Sequence, residues 1–494
     1  NQLDWLKRQL FGRKSEKRID LAPPEQMNLF ADLSEQPQQQ DREQGQEQQE
    51  TNSNHKKRKT KKGGDQGSTN EPGLRFDDDV PLRVIELTPD ELKGEDADQY
   101  QIIDTRVTRR VAQKTASYEV IEYRRPVIKH IQHNTLKTTP APEAVFERSI
   151  ADVSFASGIL VDKFAYHLPL YRQHQRLQQA GIYLSRSTLT NITESSAAVL
   201  EPIYRAMIRS CLISLILLMD ETPVKAGRKV KGKMKQGQFW SIYGDRDEIC
   251  FIYSPSRGGE EIEKILGDDF QGVLLTDGYA AYEKYAGARA AIIHAQCWAH
   301  TRRMFERALG SDPRADEALD LIGELYKTEK SIRERRLDAD AALKLRRDNS
   351  LPKVREFWAW CEGILHSGLE PKHPLMKAVG YACQRKQALE VFLSNPYVPI
   401  DTNHLERSLR PIPMGRRAWN FCWSEVGAQW VGIIQSLITT CRIHGICPYT
   451  YLVDVLQRVS SHPASRVEEL TPRRWKELFA DNPMRSDIDS RAPT

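Results

Sequence analysis

Three acidic residues occupy positions from which they could act together in catalysis. Asp220 ends one predicted strand, the apolar run from Leu212 to Met219. Asp277 ends another, from Val273 to Thr276. Carboxylates at the carboxyl ends of neighbouring strands lie at the edge of a sheet where α/β proteins usually bind ligands. A carboxylate on a short predicted helix further along the chain is the third candidate. Carboxylate oxygens suit Mg²⁺, and three of them converging on two cations predict phosphoryl transfer.

That third carboxylate is Glu406, and basic residues flank all three. Phosphoryl transfer acts on a polyanion, so positive charge is expected near the site. The basic residues that follow the three carboxylates and the fifth predicted strand are Lys225, Arg228, Lys229, Lys231, Lys233, Lys235, Arg302, Arg303, Arg407, Arg410, Arg416 and Arg417. We take Arg302, Arg303, Arg407 and Arg410 as candidate DNA contacts. Each run could instead be a solvated surface.

A second unusual cluster runs from His294 to His300 and includes Cys297 and Trp298. Histidine and cysteine are zinc ligands, but a catalytic zinc site usually takes a further distant ligand. We therefore favour a packed corner between a strand and a helix, with His300 facing the carboxylates.

A helix-turn-helix is predicted within residues 168–195. Gly181 separates two short helical patterns, and a Ser-Arg-Ser-Thr sequence offers capping side chains to the second. Arg186 and Thr188 lie near the start of this would-be recognition helix, where such motifs contact base edges. Arg172 on the first helix is a further candidate. Most helical hairpins bind nothing, so spacing alone leaves both interpretations open.

The N-terminal residues predict a helix and a linker. Residues 1–32 carry leucines at helical spacing, which could join a coiled coil or pack on their own chain. Residues 33–78 are rich in glutamine and charge, which is typical of a disordered linker. Their basic run, including Lys56, Lys57 and Arg58, could contact DNA phosphate or stay solvated.

The composition excludes several classes of protein. The 494 residues are enough for several domains. Eight cysteines, none in a Cys-x-x-Cys pair, are too sparse for a disulfide scaffold or a zinc ribbon. No apolar run approaches the roughly 18 residues of a membrane span, and no secretory leader is evident. A cytoplasmic protein fits best, and the net charge of +5 permits a nucleic-acid partner without implying one.

These segments predict a multidomain α/β plus α fold with a mixed-sheet core. The predicted order is an N-terminal helical segment (1–32), the linker (33–78), a small β-containing DNA-binding domain (79–150), the helix-turn-helix region (151–205), the first part of the catalytic core (206–300), a helical insertion (301–395), the rest of the core with the glutamate helix (396–460) and a C-terminal tail (461–494).

At these motifs the chain resembles the transposases of the insertion-sequence 66 family, which are DDE transposases with a ribonuclease-H-like catalytic core. The segments that carry the resemblance are Gln9-Leu-Phe-Gly-Arg-Lys-Ser-Glu-Lys17, His167-Leu-Pro-Leu-Tyr-Arg172, Leu184-Ser-Arg-Ser-Thr-Leu189, Asp220-Glu-Thr-Pro-Val-Lys225, Thr276-Asp-Gly-Tyr279, Cys297-Trp-Ala-His-Thr-Arg-Arg303 and Asn403-His-Leu-Glu-Arg-Ser-Leu-Arg-Pro-Ile412. They run in family order over nearly the whole chain.

The resemblance implies that Asp220, Asp277 and Glu406 are the catalytic triad and hold two Mg²⁺ or Mn²⁺ ions. Cys297 and His300 match a Cys-x-x-His found after the second aspartate in several DDE groups. We assign supporting roles to Cys297, Trp298, His300 and Asn403. Family members commonly carry a cysteine-rich zinc-binding segment ahead of the helix-turn-helix. This sequence has no cysteine there, so we expect no zinc.

The predicted function is a DNA transposase that binds terminal repeats, cleaves DNA at the transposon ends and transfers the 3′ ends to target DNA. Two alternatives stay open: a catalytically inactive, transposon-derived DNA-binding protein, and a ribonuclease-H-like nuclease without strand transfer. The expected partners are transposon-end DNA, target DNA and a second copy of the chain in a homodimer or higher assembly. A need for accessory proteins of the same element stays open. No membrane partner is expected, and the location would be the bacterial cytoplasm, at the nucleoid when DNA is bound.

Overall fold

A computed structural model of the chain describes residues 74–489, apart from residues 95–96, 115–116, 143, 147–148, 231–232, 269, 420–421 and 423. The predicted N-terminal helix lies outside the described residues, and so does the basic run with Lys56, Lys57 and Arg58.

The first part of the described chain contains short and long strands followed by helices. They are β1 (Arg75–Phe76), β2 (Leu82–Glu86), β3 (Tyr100–Lys114), β4 (Ser117–His130), β5 (Leu136–Thr138), α1 (Val153–Leu160), α2 (Leu170–Gln179), β6 (Ile182–Tyr183) and α3 (Arg186–Leu212). β2, β4 and β3 form a sheet in that order, with β5 beside β4. The β-rich character predicted for residues 79–150 is confirmed.

Two predicted boundaries in this region are wrong. Residues 75–76 were assigned to the linker, but they form β1, which pairs with β6 in the turn between α2 and α3. Phe76 also packs against the main core, which explains why this end of the segment is ordered. The helix-turn-helix region was expected to end at 205, but its second helix, α3, continues to Leu212 because its buried face, including Met207 and Cys211, extends that far.

The next segment forms the central mixed sheet. Its elements are β7 (Ile216–Val230), β8 (Lys233–Gly244), β9 (Ile249–Ser254), α4 (Gly259–Leu266), β10 (Gly272–Thr276), α5 (Ala280–Gly287) and β11 (Ile292–Gln296). The strand order is β11-β10-β7-β8-β9. β7, β8 and β9 are antiparallel neighbours, whereas β7, β10 and β11 run parallel. The mixed α/β class is therefore confirmed.

β7 differs from the predicted strand at both ends. It begins at Ile216, since Leu212 is the last residue of α3 and the apolar run spans a helix end, a loop and a strand. It also continues past Asp220 to Val230, because β8 pairs with it along this whole length. β10 pairs with β7 only as far as Leu218. Asp220 thus lies just beyond the point where β10 stops pairing with β7, and not at the end of β7 itself.

Helices make up most of the remaining chain. They are α6 (Trp298–Leu309), α7 (Ala315–Glu334), α8 (Ala339–Leu345), α9 (Leu351–Leu365), α10 (Pro374–Cys383), α11 (Lys386–Glu390), α12 (Asn403–Leu409), α13 (Pro411–Trp419), α14 (Glu425–Ile443), α15 (Pro448–Arg458) and α16 (Pro472–Leu478). The predicted helical character of residues 298–395 is confirmed. Pro411 lies just after the end of α12. It also opens α13, because a proline at a first helical position gives up only an N–H that would be unpaired there. None of the described helices is long and apolar enough to cross a lipid bilayer.

α14 covers the exposed edge of the central sheet. β9 is an edge strand, and its backbone groups need partners. The N–H groups of Phe251 and Ile249 donate to the hydroxyls of Ser436 and Thr440, at 2.8 and 3.2 Å. Gly432 allows this approach, since a Cβ there would lie 2.4 Å from the Phe251 carbonyl oxygen. The sheet is thereby fixed against a buried helix.

The C-terminal residues are not the tail that we expected. Leu470 and Trp475 are buried in the main core. The hydroxyl of Tyr451 donates to the Leu470 carbonyl at 2.7 Å. Further on, Asp487 accepts a hydrogen bond from the hydroxyl of Tyr123 on β4. The prediction failed because a few apolar anchors, widely spaced among charged residues, are enough to hold this segment.

Candidate active site

Asp220 and Asp277 lie at the same end of the parallel strand pair. Asp220 is two residues beyond Leu218, where the pairing of β7 with β10 stops. Asp277 is the first residue after β10. The two aspartates therefore follow adjacent parallel strands, as the sequence predicted, although β7 itself continues.

The charge state of Asp220 reflects its surroundings. Burial, together with the negative charges of Glu221, Asp277 and Glu406, raises the pKa of Asp220 to about 7. The N–H of Glu221 donates to the Asp220 carboxylate at 2.8 Å and opposes this effect. A carboxyl group responds in this way when it is buried and other carboxylates lie close to it. The oxygen-only donor set and this excess of negative charge both fit a hard divalent cation.

Glu406 is held by a basic residue from another helix. The Nη2 atom of Arg303, on α6, lies 2.7 Å from both carboxylate oxygens of Glu406, on α12. His300, one turn earlier on α6, places Nε2 3.7 Å from the same carboxylate. Burial lowers the pKa of His300, and the neighbouring Arg303 lowers it further. His300 therefore faces the carboxylates as predicted, and Arg303 supplies the positive charge that Glu406 contacts.

The three carboxylates do not form a ready ligand set in this conformation. Among the described residues, no group of three His, Cys, Asp or Glu side chains is placed to hold a metal ion. The contact with Arg303 explains this for Glu406, because both of its oxygens point at the guanidinium. The structure brings Glu406 into the neighbourhood of Asp220 and Asp277 without aiming it at them.

The cluster from His294 to His300 is a packed corner that positions α12. The Cys297 thiol sulfur accepts hydrogen bonds from the backbone N–H and the hydroxyl of Thr402, both at 3.3 Å. The N–H of Trp298 donates to the Ile400 carbonyl at 3.0 Å. Its indole is fully buried and donates to the Leu389 carbonyl. These bonds fix the residues immediately before Asn403, the first residue of α12.

The loop that carries Asp277 is held by contacts with residues of the helical insertion. The N–H of Tyr279 donates to the Asp277 carboxylate at 2.9 Å. A Cβ at Gly278 would lie 2.2 Å from the hydroxyl of Tyr381, on α10, so only glycine fits. Arg385, just after α10, donates to the Gly278 carbonyl at 3.0 Å. The orientation of Asp277 thus depends on the helical insertion.

Sequence reasoning missed Glu221. Its side chain is only 3% exposed, on the strand position next to Asp220. The hydroxyl of Tyr282 donates to it at 2.6 Å, and Nε of Arg257 donates at 2.8 Å. Adjacent strand residues point to opposite faces, so the Asp-Glu doublet signals a carboxylate on each side of β7. That doublet could have identified Glu221 as a buried acid.

The candidate DNA contacts of the helix-turn-helix region are on its surface. Gly181, with a φ of 75°, makes the turn between α2 and α3. The hydroxyl of Ser185 accepts from the N–H of Thr188 at 3.1 Å and caps α3, as predicted. Arg186, the first residue of α3, is exposed, and so is Arg172 on α2. Two helices therefore flank a turn at Gly181, although α3, with 27 residues, is much longer than the short helix predicted.

The basic residues near the carboxylates differ in their contacts. Arg302 pairs with Glu306 within α6, at 2.8 Å. Arg407 and Arg410 are exposed on and just after α12. Lys231 lies outside the described residues. The other basic residues that follow Asp220 lie on the hairpin of β7 and β8: Lys225, Arg228, Lys229, Lys233 and Lys235.

Sequence profiles of known families match the chain in three places. The profile described as "Transposase IS66 family" matches residues 148–430, more than half of the chain and all three carboxylates. The profile "IS66 C-terminal element" matches residues 436–473, and "Transposase C of IS166 homeodomain" matches residues 1–66.

Individual relatives agree with these matches. The uncharacterized protein y4hP of Sinorhizobium fredii is 30% identical over 399 residues, which are 76% of this chain and 71% of that protein. The uncharacterized protein y4jD of the same organism is 31% identical over 360 residues, 69% of this chain and 70% of that protein. On this similarity and the profile over its central region, the chain belongs to the IS66 family of transposases.

Proposed function

We propose that this chain is a DNA transposase whose catalytic residues are Asp220, Asp277 and Glu406. Membership of the family supports the class of reaction. One observation carries the choice of residues: Asp220 and Asp277 follow adjacent parallel strands, and the helix of Glu406 packs against the strand of Asp220. The charges of Asp277 and Glu406 accordingly add to burial in raising the pKa of Asp220. Such mutual repulsion is what a bound divalent cation would offset.

We also propose that the central sheet is a ribonuclease-H-like core. The strand order supports this: three sequential antiparallel strands are followed by two parallel strands on the other side of the first one. In this arrangement the first and fourth strands are neighbours. The aspartate of the first strand and the one after the fourth therefore meet at one edge of the sheet.

The three carboxylates would hold Mg²⁺ or Mn²⁺, two ions per site. Such ions activate the attacking water or 3′-hydroxyl and stabilise the leaving oxygen. The pairing of β7 with β10 supports this role for Asp220 and Asp277, which follow adjacent strands. Glu406 has to turn away from Arg303, whose guanidinium is then available to a DNA phosphate. Burial lowers the pKa of His300 beside them, which favours its neutral form.

DNA recognition would be shared between two regions. The helix-turn-helix, with Arg172, Arg186 and Thr188 on its first and second helices, would contact the terminal repeat. The basic hairpin of β7 and β8 would contribute sequence-independent attraction to the phosphate backbone. An element has two ends, and joining both to one target requires that they be held together. We therefore propose that two chains pair on DNA.

A cleavage and joining assay tests this function. The purified chain, terminal-repeat DNA and Mg²⁺ should give cleaved ends and joined products, and chelation of the metal should stop both. Asp220→Asn, Asp277→Asn and Glu406→Gln should each abolish cleavage and leave DNA binding nearly unchanged. Asp268→Asn is the matched control, since this exposed aspartate pairs with Arg289 on the surface at 2.7 Å.

Other outcomes would point to the alternatives. Binding to terminal-repeat DNA with no cleavage under any divalent metal would favour a DNA-binding protein without catalytic activity. Cleavage without joining would favour a nuclease. Full activity of any of the three carboxylate variants would refute the assignment of that residue.

A further inference from the structure

Two arginines face each other across the β3–β4 hairpin of the small sheet. Arg106 on β3 is the direct register partner of Arg125 on β4. Directly opposed side chains on antiparallel strands have Cβ atoms about 4.5–5.5 Å apart, and like charges in this position are unfavourable. Among the described residues, no carboxylate forms an ion pair with either arginine.

The opposite face of the same two strands is neutralised. Arg109 and Arg124 both pair with Glu122, at 2.6 and 2.8 Å, and the Glu122 side chain is only 3% exposed. The two faces of one hairpin therefore differ. One face carries the Glu122 carboxylate between Arg109 and Arg124. The other face carries Arg106 and Arg125, and no carboxylate pairs with either among the described residues.

Arg125 is held in place by neutral groups. Its Nη2 donates to the hydroxyl of Thr108 at 3.1 Å, and its Nη1 donates to the Thr139 carbonyl at 3.2 Å. Its Nε is buried and has no hydrogen-bond partner among the described residues. Burial lowers the pKa of Arg125, and the charges of Arg106 and Arg110 lower it further. The guanidinium of Arg125 is thus held in one orientation, but no carboxylate among the described residues neutralises its positive charge.

Arg106 provides the accessible half of the pair. Its side chain is exposed, and none of the described residues forms a hydrogen bond or ion pair with its five N–H donors. An oxygen anion placed between the two guanidinium groups would accept hydrogen bonds from both and remove their repulsion. Phosphate fits this geometry well, because a guanidinium can bind two of its oxygens at once.

We propose that Arg106 and Arg125 form a phosphate-binding site through which the small sheet contacts the DNA backbone. The inference rests on the proposed function, in that the phosphate is assigned to DNA. It gives the small domain a mode of DNA binding that needs no zinc. Contacts to phosphate position a protein on DNA and do not distinguish sequences.

The test compares three variants of the full chain by fluorescence anisotropy, with terminal-repeat and random DNA of equal length over a series of salt concentrations. Arg106→Gln should weaken binding to both DNAs equally, by roughly three- to tenfold, and make the slope of log K against log salt shallower by about 0.9. Arg106→Lys keeps the charge and should recover most of the slope. Arg124→Gln is the matched control on the neutralised face and should leave the slope unchanged.

Thermal unfolding without DNA separates this role from a structural one. Arg106→Gln removes a repulsion, so its melting temperature should be equal to or higher than that of the wild type. A lower melting temperature with unchanged DNA affinity would overturn the proposal, as would an Arg106→Gln slope equal to that of the wild type. If the wild type fails to cleave while Arg106→Gln still flattens the slope, the phosphate site stands and the proposed catalysis fails.

Discussion

The buried ion pair of Arg346 and Glu329 should dominate the stability of the helical insertion. The Arg346 side chain is 3% exposed and that of Glu329 is 11% exposed. Two hydrogen bonds, at 2.7 and 2.8 Å, join them. Arg346 also donates to the carbonyls of Phe392, Asn395 and Val398, at 2.7, 2.9 and 3.2 Å. These carbonyls lie on the segment that leads into α12, so the pair also helps to place the helix of the catalytic glutamate.

Replacing Arg346 by Met should lower the free energy of unfolding by about 3–5 kcal/mol, because it leaves the Glu329 charge buried and uncompensated. Urea unfolding at pH 7, followed by tryptophan fluorescence, measures this. The double variant Arg346→Met, Glu329→Leu should recover at least about 2 kcal/mol, since the buried charge is gone while the three carbonyls stay unpaired. A loss below about 1 kcal/mol in the single variant, or no recovery in the double variant, would refute the reasoning.

Three further predictions concern contacts in the candidate active site and the N-terminal cap of α3. Gly278→Ala places a Cβ 2.2 Å from the Tyr381 hydroxyl, so it should lower the free energy of unfolding by about 1–3 kcal/mol and remove most of the cleavage activity. An active and equally stable variant would contradict the role given to this close contact. Arg303→Gln should tighten Mn²⁺ binding without DNA by roughly fivefold, or about 1 kcal/mol, because Glu406 loses its half-buried ion pair with Arg303. Unchanged affinity in calorimetry would mean that this pair does not compete with the metal. Ser185→Ala should cost about 1 kcal/mol in urea unfolding through the lost cap of α3, and no loss would contradict the cap.

The parts of the site that follow local apolar runs could be predicted from the sequence. Asp277 comes directly after β10, which contains the predicted strand from Val273 to Thr276, and Ser185 caps α3 as its sequence indicated. The start of β7 could not be predicted, because Leu212 and Ile216 belong to one apolar run that periodicity cannot divide between a helix and a strand.

The parts that depend on distant partners escaped prediction. β7 continues beyond Asp220 because a second strand pairs with it, although its own sequence there is polar and basic. The contact between Arg303 and Glu406 joins residues on separate helices, and the packed corner at Cys297 and Trp298 helps to bring those helices together. Side-chain direction at such a contact is a property of the fold rather than of local sequence.

The most direct test of the central claim is a crystal structure of the chain with terminal-repeat DNA and Mn²⁺, in which anomalous scattering locates the metal. The account predicts Mn²⁺ bound by oxygens of Asp220, Asp277 and Glu406, with Arg303 turned from Glu406 to a DNA phosphate. Mn²⁺ bound elsewhere, or a DNA-bound complex in which Glu406 still holds Arg303 and contacts no metal, would contradict it.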